Sequence, residues 1–227
     1  MKNRMRAQFR HGDLLSLILL LAVSLALWAF VELANQVVEG DVQRLDERVL
    51  ALFRTPGNPA DAVGPSWLEN MFRIVSALGS ELILTPVVAF AVIALWMEGL
   101  KRAAVWLGVA AAGAGVLSPL FKNYFARERP AFLVKELLPA SSSFPSGHAL
   151  LSMAVYLTIG ALLTQVVPAK RTKAIVLLMA VLIALLIGVS RVYLGFHYPS
   201  DVLAGWCLGL FWATLCWLVA WTIRDRK

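Results

Sequence analysis

A polar segment, Ser190 to Asp201, lies between two long apolar runs and contains an arginine, a histidine and an aspartate. Asp201 follows His197 by four residues, a spacing that places both side chains on one face where the chain is helical. A carboxylate beside an imidazole favours a basic, oriented ring, and the guanidinium of Arg191 matches the oxygens of a phosphate or carboxylate. The segment predicts an anion site beside an activated histidine; the alternative is a polar loop with an unrelated histidine.

Two further polar segments, Lys122 to Pro130 and Ser141 to His148, precede it in the chain. Ser146 is a good N-cap for the apolar helix that follows, and Gly147 lets an anion approach the free backbone N–H groups of the first turn. With the adjacent imidazole of His148, these residues predict a phosphate-binding helix N-terminus with an acid group attached.

The elements that position these segments are predicted to be membrane helices. The chain is 59% hydrophobic and 15% charged with a mean hydropathy of +0.73, which lies outside the range of soluble domains. The net charge of +7 comes from short basic clusters between apolar runs, which membrane topology explains better than nucleic-acid binding does. Cys207 and Cys216 lie inside the last apolar run and indicate neither a disulfide nor a metal site.

Six apolar runs approach or exceed the roughly 20 residues needed to cross a hydrocarbon core. They predict an all-α polytopic membrane protein, one domain over residues 1–227, with a retained first span rather than a cleaved signal peptide. The predicted spans are approximately 14–37, 80–98, 102–121, 148–168, 173–190 and 200–223. Small residues in the third span, and Gly205 with Gly209 in the sixth, predict close helix packing.

The long connection between the first two spans is predicted to form two short interfacial helices on the outer surface. Apolar residues recur at helical spacing from Leu45 to Phe53, and Ser66 with Glu69 forms a capping box for the second helix. The two helices either cover a site or guide a lipid, or they only fill a long loop.

An even number of spans places both termini on one side of the membrane. With cytoplasmic termini, 12 of the 21 basic residues but only 3 of the 14 acidic residues face the cytoplasm, in agreement with the positive-inside rule. All three polar segments then lie at the outer face, where they can form one site.

The three segments resemble the signatures of the PAP2 (type 2 phosphatidic acid phosphatase) superfamily. Lys122 to Pro130 fits KxxxxxxRP, Pro145 to His148 fits PSGH, and Ser190 to Asp201 fits SRxxxxxHxxxD, with no departure at a motif position. The three motifs themselves cover about 25 residues, and the resemblance extends to the arrangement of helices from about Leu82 onward. The short chain and modest outer loop resemble those of bacterial phosphatidylglycerophosphatase B and undecaprenyl pyrophosphate phosphatase members.

The resemblance implies a metal-independent lipid phosphatase with no cofactor and no obligatory protein partner. His197 would be the nucleophile and form a phosphohistidine, with Asp201 orienting its ring. His148 would protonate the departing oxygen and then activate water. The residues implied to hold the phosphate are Lys122, Arg129, Ser146, Gly147 and Arg191.

The implied substrate is a membrane lipid phosphate, either phosphatidylglycerophosphate, undecaprenyl pyrophosphate or phosphatidic acid. The implied location is a bacterial-type inner membrane, with the active site on the extracytoplasmic face. One alternative is a transporter or binding protein for a phosphorylated or anionic solute, although transporters place charge near the midplane on broken helices. Another is a haloperoxidase of the same superfamily that binds vanadate, although those enzymes are soluble.

Other polar and aromatic residues are predicted to interact with solvent or lipid headgroups. Arg127 and Lys135 fall outside the motif positions and are expected to reach headgroups, and His11 is expected to be solvated. The residues expected in an interfacial aromatic belt are Tyr193, Phe196 and Tyr198.

Overall fold

The computed structural model describes the backbone of residues 2–131 and 141–224, and the side chains of residues 17–131 and 141–221. Lys135 lies outside the described residues, as does the side chain of His11. In chain order the elements are α1 (Lys2–Glu39), α2 (Gln43–Ala51), β1 (Arg54–Thr55), β2 (Asn58–Ala62), α3 (Ser66–Ala77), α4 (Glu81–Met97), α5 (Lys101–Phe125), α6 (Gly147–Val166), α7 (Lys170–Tyr193) and α8 (Pro199–Arg224).

The helices agree with the predicted all-α membrane architecture. Among the described residues, five helices are long and apolar enough to span a bilayer by themselves: α1, α5, α6, α7 and α8. The sixth predicted span, 80–98, is α4, which has only 17 residues. It becomes long enough only together with α3, from which it is bent by 44°. By length and composition, the described helices therefore give five spans, or six if the bent α3–α4 pair crosses as one.

The predicted capping box at Ser66 is wrong. Pro65 occupies the N-cap position of α3, and the helix has no side-chain capping bond there. Proline cannot donate a backbone hydrogen bond, and its fixed φ suits a helix start. Ser66 is therefore the first helical residue rather than the cap.

Helix α6 lies at the centre of the bundle and packs against α5, α7 and α8, while α1 packs along α8. A β-carbon on Gly205 would lie 2.6 Å from the carbonyl oxygen of Ser146, and one on Gly209 would lie 2.6 Å from that of Leu150. The two glycines thus let α8 approach the backbone of α6, as their spacing predicts.

Small residues in α5 and α7 receive indole rings from α8. The ring of Trp212 occupies the space beside Gly113 and donates to the carbonyl of Ala110 at 2.9 Å. Trp206 packs in the same way beside Gly188 and donates to Ala184 at 3.1 Å. Each contact buries an aromatic surface and gives its N–H a partner, which stabilises the packing that holds the helix ends in register.

The connection between α1 and α4 covers one end of the bundle. Between α2 and α3 the chain forms a small antiparallel hairpin, β1 with β2, whose turn includes Gly57 at φ +83°. Leu50 of α2 is fully buried and packs in a cluster with Val192 and Val202. The first long loop is therefore part of the packed structure at the end of the bundle that carries the polar segments.

Candidate active site

The three polar segments meet at one end of the bundle, because they occupy the C-terminal end of α5, the N-terminal end of α6 and the turn between α7 and α8. Ala126 ends α5 in the left-handed conformation, with φ of 47°. Backbone hydrogen bonds then join the segments: Ser143 N donates to Arg127 O, and Ser146 N donates to Asp201 O, both at 2.9 Å. The site is thus tied together through its main chain.

His197 lies in the turn before α8 and is only 2% exposed. Its Nε2 atom is 3.4 Å from Arg129 Nη1, and its Nδ1 atom is 3.6 Å from Asp201 Oδ2. The histidine and aspartate are therefore adjacent as predicted, at a distance longer than a direct hydrogen bond. The two ring nitrogens face opposite charges.

Asp201 occupies the first turn of α8 and is fully buried. Its Oδ2 accepts a hydrogen bond from the backbone N–H of Tyr198 at 2.9 Å. Because Tyr198 precedes Pro199, the first residue of α8, the carboxylate caps the helix in the way that the acidic partner of a capping box does. The helix start therefore orients the carboxylate that faces His197.

Three cationic side chains surround His197. Arg129 Nη1 donates to the carbonyl of Phe196 at 2.9 Å. Arg191 lies 4.2 Å above the Phe196 ring and donates from Nη1 to Ser76 Oγ of α3 at 2.8 Å. Lys122 Nζ lies 3.5 Å from the point that a β-carbon on Gly147 would occupy. The cations predicted to hold an anion thus converge on one region.

The N-terminus of α6 faces this region. Ser146 occupies the N-cap position as predicted, but its side chain makes no capping bond. Its Oγ is buried without a hydrogen-bond partner among the described residues, as is Nε of Arg191. Buried donors of this kind are costly unless something accepts from them. Both atoms suit an anion with several acceptor oxygens.

Gly147 and His148 complete the α6 terminus. A β-carbon on Gly147 would lie 2.7 Å from Ser118 Oγ of α5, so a larger residue here would require the Ser118 side chain to move. His148 lies against the junction of α3 and α4, with its Cδ2 atom 3.6 Å from the β-carbon position of Gly79. The second histidine is therefore held between α6 and the bent α3–α4 pair.

The electrostatics favour a neutral, nucleophilic His197. Burial lowers its pKa well below the usual 6.5, and the positive charges of Arg191, Arg129 and Lys122 lower that pKa further. Burial also lowers the pKa of Arg129, an effect that Asp201 partly offsets. An unprotonated imidazole beside several cations can attack an electrophile whose oxygens those cations hold.

Arg127 does not reach lipid headgroups, so the prediction made from its position outside the motifs is wrong. Its guanidinium bonds to Asp201 Oδ1 at 2.6 Å and to Asp46 Oδ2 of α2 at 2.8 Å. Burial acts to lower the pKa of Arg127, but the two carboxylates reverse that effect and raise it. No signal in the sequence pairs Arg127 with Asp46, which is 81 positions away.

The predicted aromatic belt is also wrong. Tyr193 is 3% exposed, stacks on Phe72 at 4.2 Å and donates to the carbonyl of Val63. The ring of Tyr198 lies under the Arg127 guanidinium at 4.4 Å. The aromatic residues of the third segment therefore pack beneath the loop helices and the site cations.

Three cations, two histidines and the N-terminus of α6 thus lie together at one end of a bundle of apolar helices, the architecture of a multi-pass membrane protein. The PAP2 superfamily model matches residues 103–225, more than half of the chain. Phosphatidylglycerophosphatase B of Bacillus subtilis is 32% identical over 194 residues, covering 83% of this chain and 89% of the relative. The chain belongs to the PAP2 superfamily.

Other relatives agree with that assignment. Undecaprenyl-diphosphatase of Sulfolobus acidocaldarius is 31% identical over 147 residues, 63% of this chain and 66% of the relative. The crystal structure of a transmembrane PAP2-type phosphatidylglycerolphosphate phosphatase from Bacillus subtilis superposes with a TM-score of 0.77 at 26% identity, covering 90% of this chain and 96% of that one. These relatives are phosphatases by name, and the chain is an enzyme of that class.

Proposed function

We propose that this enzyme is a metal-independent phosphatase of membrane lipid phosphates that reacts through a phosphohistidine at its outer membrane face. The supporting observation is the opposed environment of the two nitrogens of His197. Nε2 faces Arg129 at 3.4 Å, whereas Nδ1 faces Asp201 at 3.6 Å. The nitrogen on the cationic side is the one that can meet a phosphate, while the other keeps a carboxylate beside it.

In the proposed reaction, Nε2 of His197 attacks phosphorus in line, so that a P–N bond forms as the bond to the leaving oxygen breaks. His148 donates a proton to that oxygen and then accepts one from water, whose oxygen displaces the histidine. Asp201 stabilises the charge that the ring gains. The groups that hold the equatorial oxygens are Lys122, Arg129, Arg191, Ser146 Oγ and the amides of Gly147 and His148.

The phosphohistidine is tested by acid-quench trapping with a 32P-labelled lipid phosphate. His197→Ala should be inactive and carry no label. His148→Ala should still become labelled by a substrate with a good leaving group, such as a pyrophosphate, and should accumulate label because the base for water attack is gone. Label on His197→Ala, or its equal loss from both variants, would contradict the assigned roles.

The lipid class is supported by the membrane frame and by the named relatives, which act on a phosphatidylglycerophosphate and on an undecaprenyl diphosphate. An active site at the end of membrane helices suits a substrate whose phosphate lies at the interface while its tail stays in the bilayer. Phosphate release by purified protein in detergent micelles should be compared for phosphatidylglycerophosphate, undecaprenyl pyrophosphate and phosphatidic acid. Faster turnover of a water-soluble phosphate ester than of all three would contradict a lipid substrate.

The outer-face location is supported by the charge bias of the connecting segments. Two exposed positions test it: Asn58 in the hairpin at the active-site end, and Thr172 at the opposite end of α7. In a background without Cys207 and Cys216, a cysteine at position 58 should react with an impermeant thiol reagent in intact cells, and one at 172 should not. The reverse labelling would turn the active site to the cytoplasm.

A further inference from the structure

Arg127 bridges two buried carboxylates although it belongs to none of the three motifs. Its side chain is 10% exposed, and those of Asp46 and Asp201 are 4% and 0% exposed. Removing water from three charged groups is costly unless each is paired and hydrogen-bonded. The arrangement therefore depends on the guanidinium, whose planar group donates hydrogen bonds to two carboxylates from different nitrogens. A lysine ammonium could not bind both carboxylates in the same geometry.

Helix α2 fixes the outer end of this bridge. Asp46 also accepts hydrogen bonds from the backbone N–H of Ser200 at 2.9 Å and from the Ser200 hydroxyl. Gln43 accepts from Arg127 Nη2 at 3.0 Å and donates to the Tyr198 hydroxyl at 3.3 Å. A helix of the first long loop thus holds both Arg127 and the first turn of α8.

The inner end of the bridge restrains Asp201. Its Oδ1 is bound by Arg127, while its Oδ2 is bound by the Tyr198 N–H and faces His197 Nδ1. With both oxygens held, the carboxylate plane cannot rotate freely. Without Arg127, this fully buried carboxylate would lose its direct cationic partner and would tend to take up a proton. A neutral carboxyl group would no longer stabilise positive charge on the imidazole.

We infer that Arg127 is a positioning residue that keeps Asp201 ionised and oriented toward His197, and that Asp46 positions Arg127 in turn. The inference rests on the proposed function, because it assigns Arg127 an effect on phosphorylation of His197. It also gives α2 a role in the active site, because Asp46 of this helix holds Arg127 in place. The phosphate-holding cations Lys122, Arg129 and Arg191 do not take part in the bridge.

The test compares Arg127→Lys, Asp46→Asn and their double variant with wild type in the purified full chain. Single-turnover labelling of His197 should slow about 10²-fold in Arg127→Lys and about 10-fold in Asp46→Asn, by analogy with the roughly 10- to 100-fold losses when the partner that orients a metal-binding histidine is removed. KM should stay within about twofold of wild type, since the phosphate-holding residues are intact. Because Asp46 acts through Arg127, Asp46→Asn should add little in the Arg127→Lys background.

Arg73→Lys is the matched control, because Arg73 pairs with Glu69 on the surface of α3 with 59% and 30% of the side chains exposed. It should label at the wild-type rate. Melting temperature and elution volume identify misfolded variants; if Arg127→Lys misfolds, Asp46→Asn carries the test. A raised KM with an unchanged labelling rate would make Arg127 a substrate ligand and overturn the inference.

The remaining outcomes separate this inference from the proposed function. Wild-type labelling rates in both folded variants would overturn the positioning role and leave the phosphohistidine mechanism intact. An unaltered Asp46→Asn beside a slowed Arg127→Lys would overturn the role of α2. A wild-type enzyme that turns over substrate but never carries label on His197 would overturn the proposed function, and the inference with it.

Discussion

Substitution of Gly205 by alanine should damage both stability and catalysis, because α6 and α8 are in close backbone contact at this glycine, beside the active site. The added methyl group would lie 2.6 Å from the Ser146 carbonyl oxygen, 2.9 Å from Ala149 Cβ and 3.2 Å from Leu150 N. Two of these three atoms belong to the backbone of the first turn of α6. Since no side-chain rotation can relieve the contact, the helices must separate.

The size of the effect follows from those distances. Ordinary contact begins near 3.4 Å, so the α6 backbone must move by about 0.8 Å relative to α8. Overpacking of this kind costs about 1–3 kcal/mol. The same movement displaces Ser146 N from Asp201 O, the 2.9 Å bond that joins the second and third segments. A misplacement approaching 1 Å can reduce turnover by about 10²-fold.

The control is Gly115→Ala in α5, where a β-carbon meets nothing within 4 Å. It should leave activity unchanged and stabilise the helix by up to about 1 kcal/mol, the difference in helix propensity. The assay is melting temperature in one detergent together with kcat per folded molecule. A Gly205→Ala enzyme with wild-type stability and kcat would show that the two helices adjust without disturbing the site, and the packing argument would fail.

Three other outcomes are expected. Phosphate release should persist in EDTA, because the site offers cations where a metal enzyme would offer carboxylate clusters; full loss restored by a divalent ion would contradict this. Ser146→Ala should keep the wild-type melting temperature, because the hydroxyl makes no capping bond, yet should lower kcat/KM by about tenfold or more through loss of a bond to a charged oxygen; equal loss of stability would contradict it. The pKa of His197 is lowered in the folded state, so below about pH 6.5 the folded chain binds fewer protons than the unfolded chain does. The contribution of His197 to the free energy of unfolding is therefore complete above about pH 6.5 and declines as the pH falls below it. Melting temperatures at pH 7 and pH 5 should differ less in His197→Gln than in wild type.

The amino-acid sequence by itself determined the membrane architecture and most of the site. Polar residues such as Lys122, Ser146 and His197 interrupt long apolar runs, and in a membrane chain such residues belong at helix ends, where backbone and side chains can be solvated or bound. Alternation of six spans then assigns all three segments to one end of the bundle. The close helix packing at Gly205 and Gly209 could also be predicted, because the GxxxG spacing has one main structural use in a membrane helix.

Only the tertiary structure decided which polar groups pair within that end. Arg127 and Asp201 are 74 positions apart, and Arg127 and Asp46 are 81 positions apart; no local period relates residues at such separations. An arginine near an interface has the same local signature whether it contacts lipid headgroups or a buried carboxylate, so its partner depends on how α2 packs over α8. The burial of Tyr193 and the bend between α3 and α4 were decided in the same way, since both depend on surfaces that come together only when the bundle has formed.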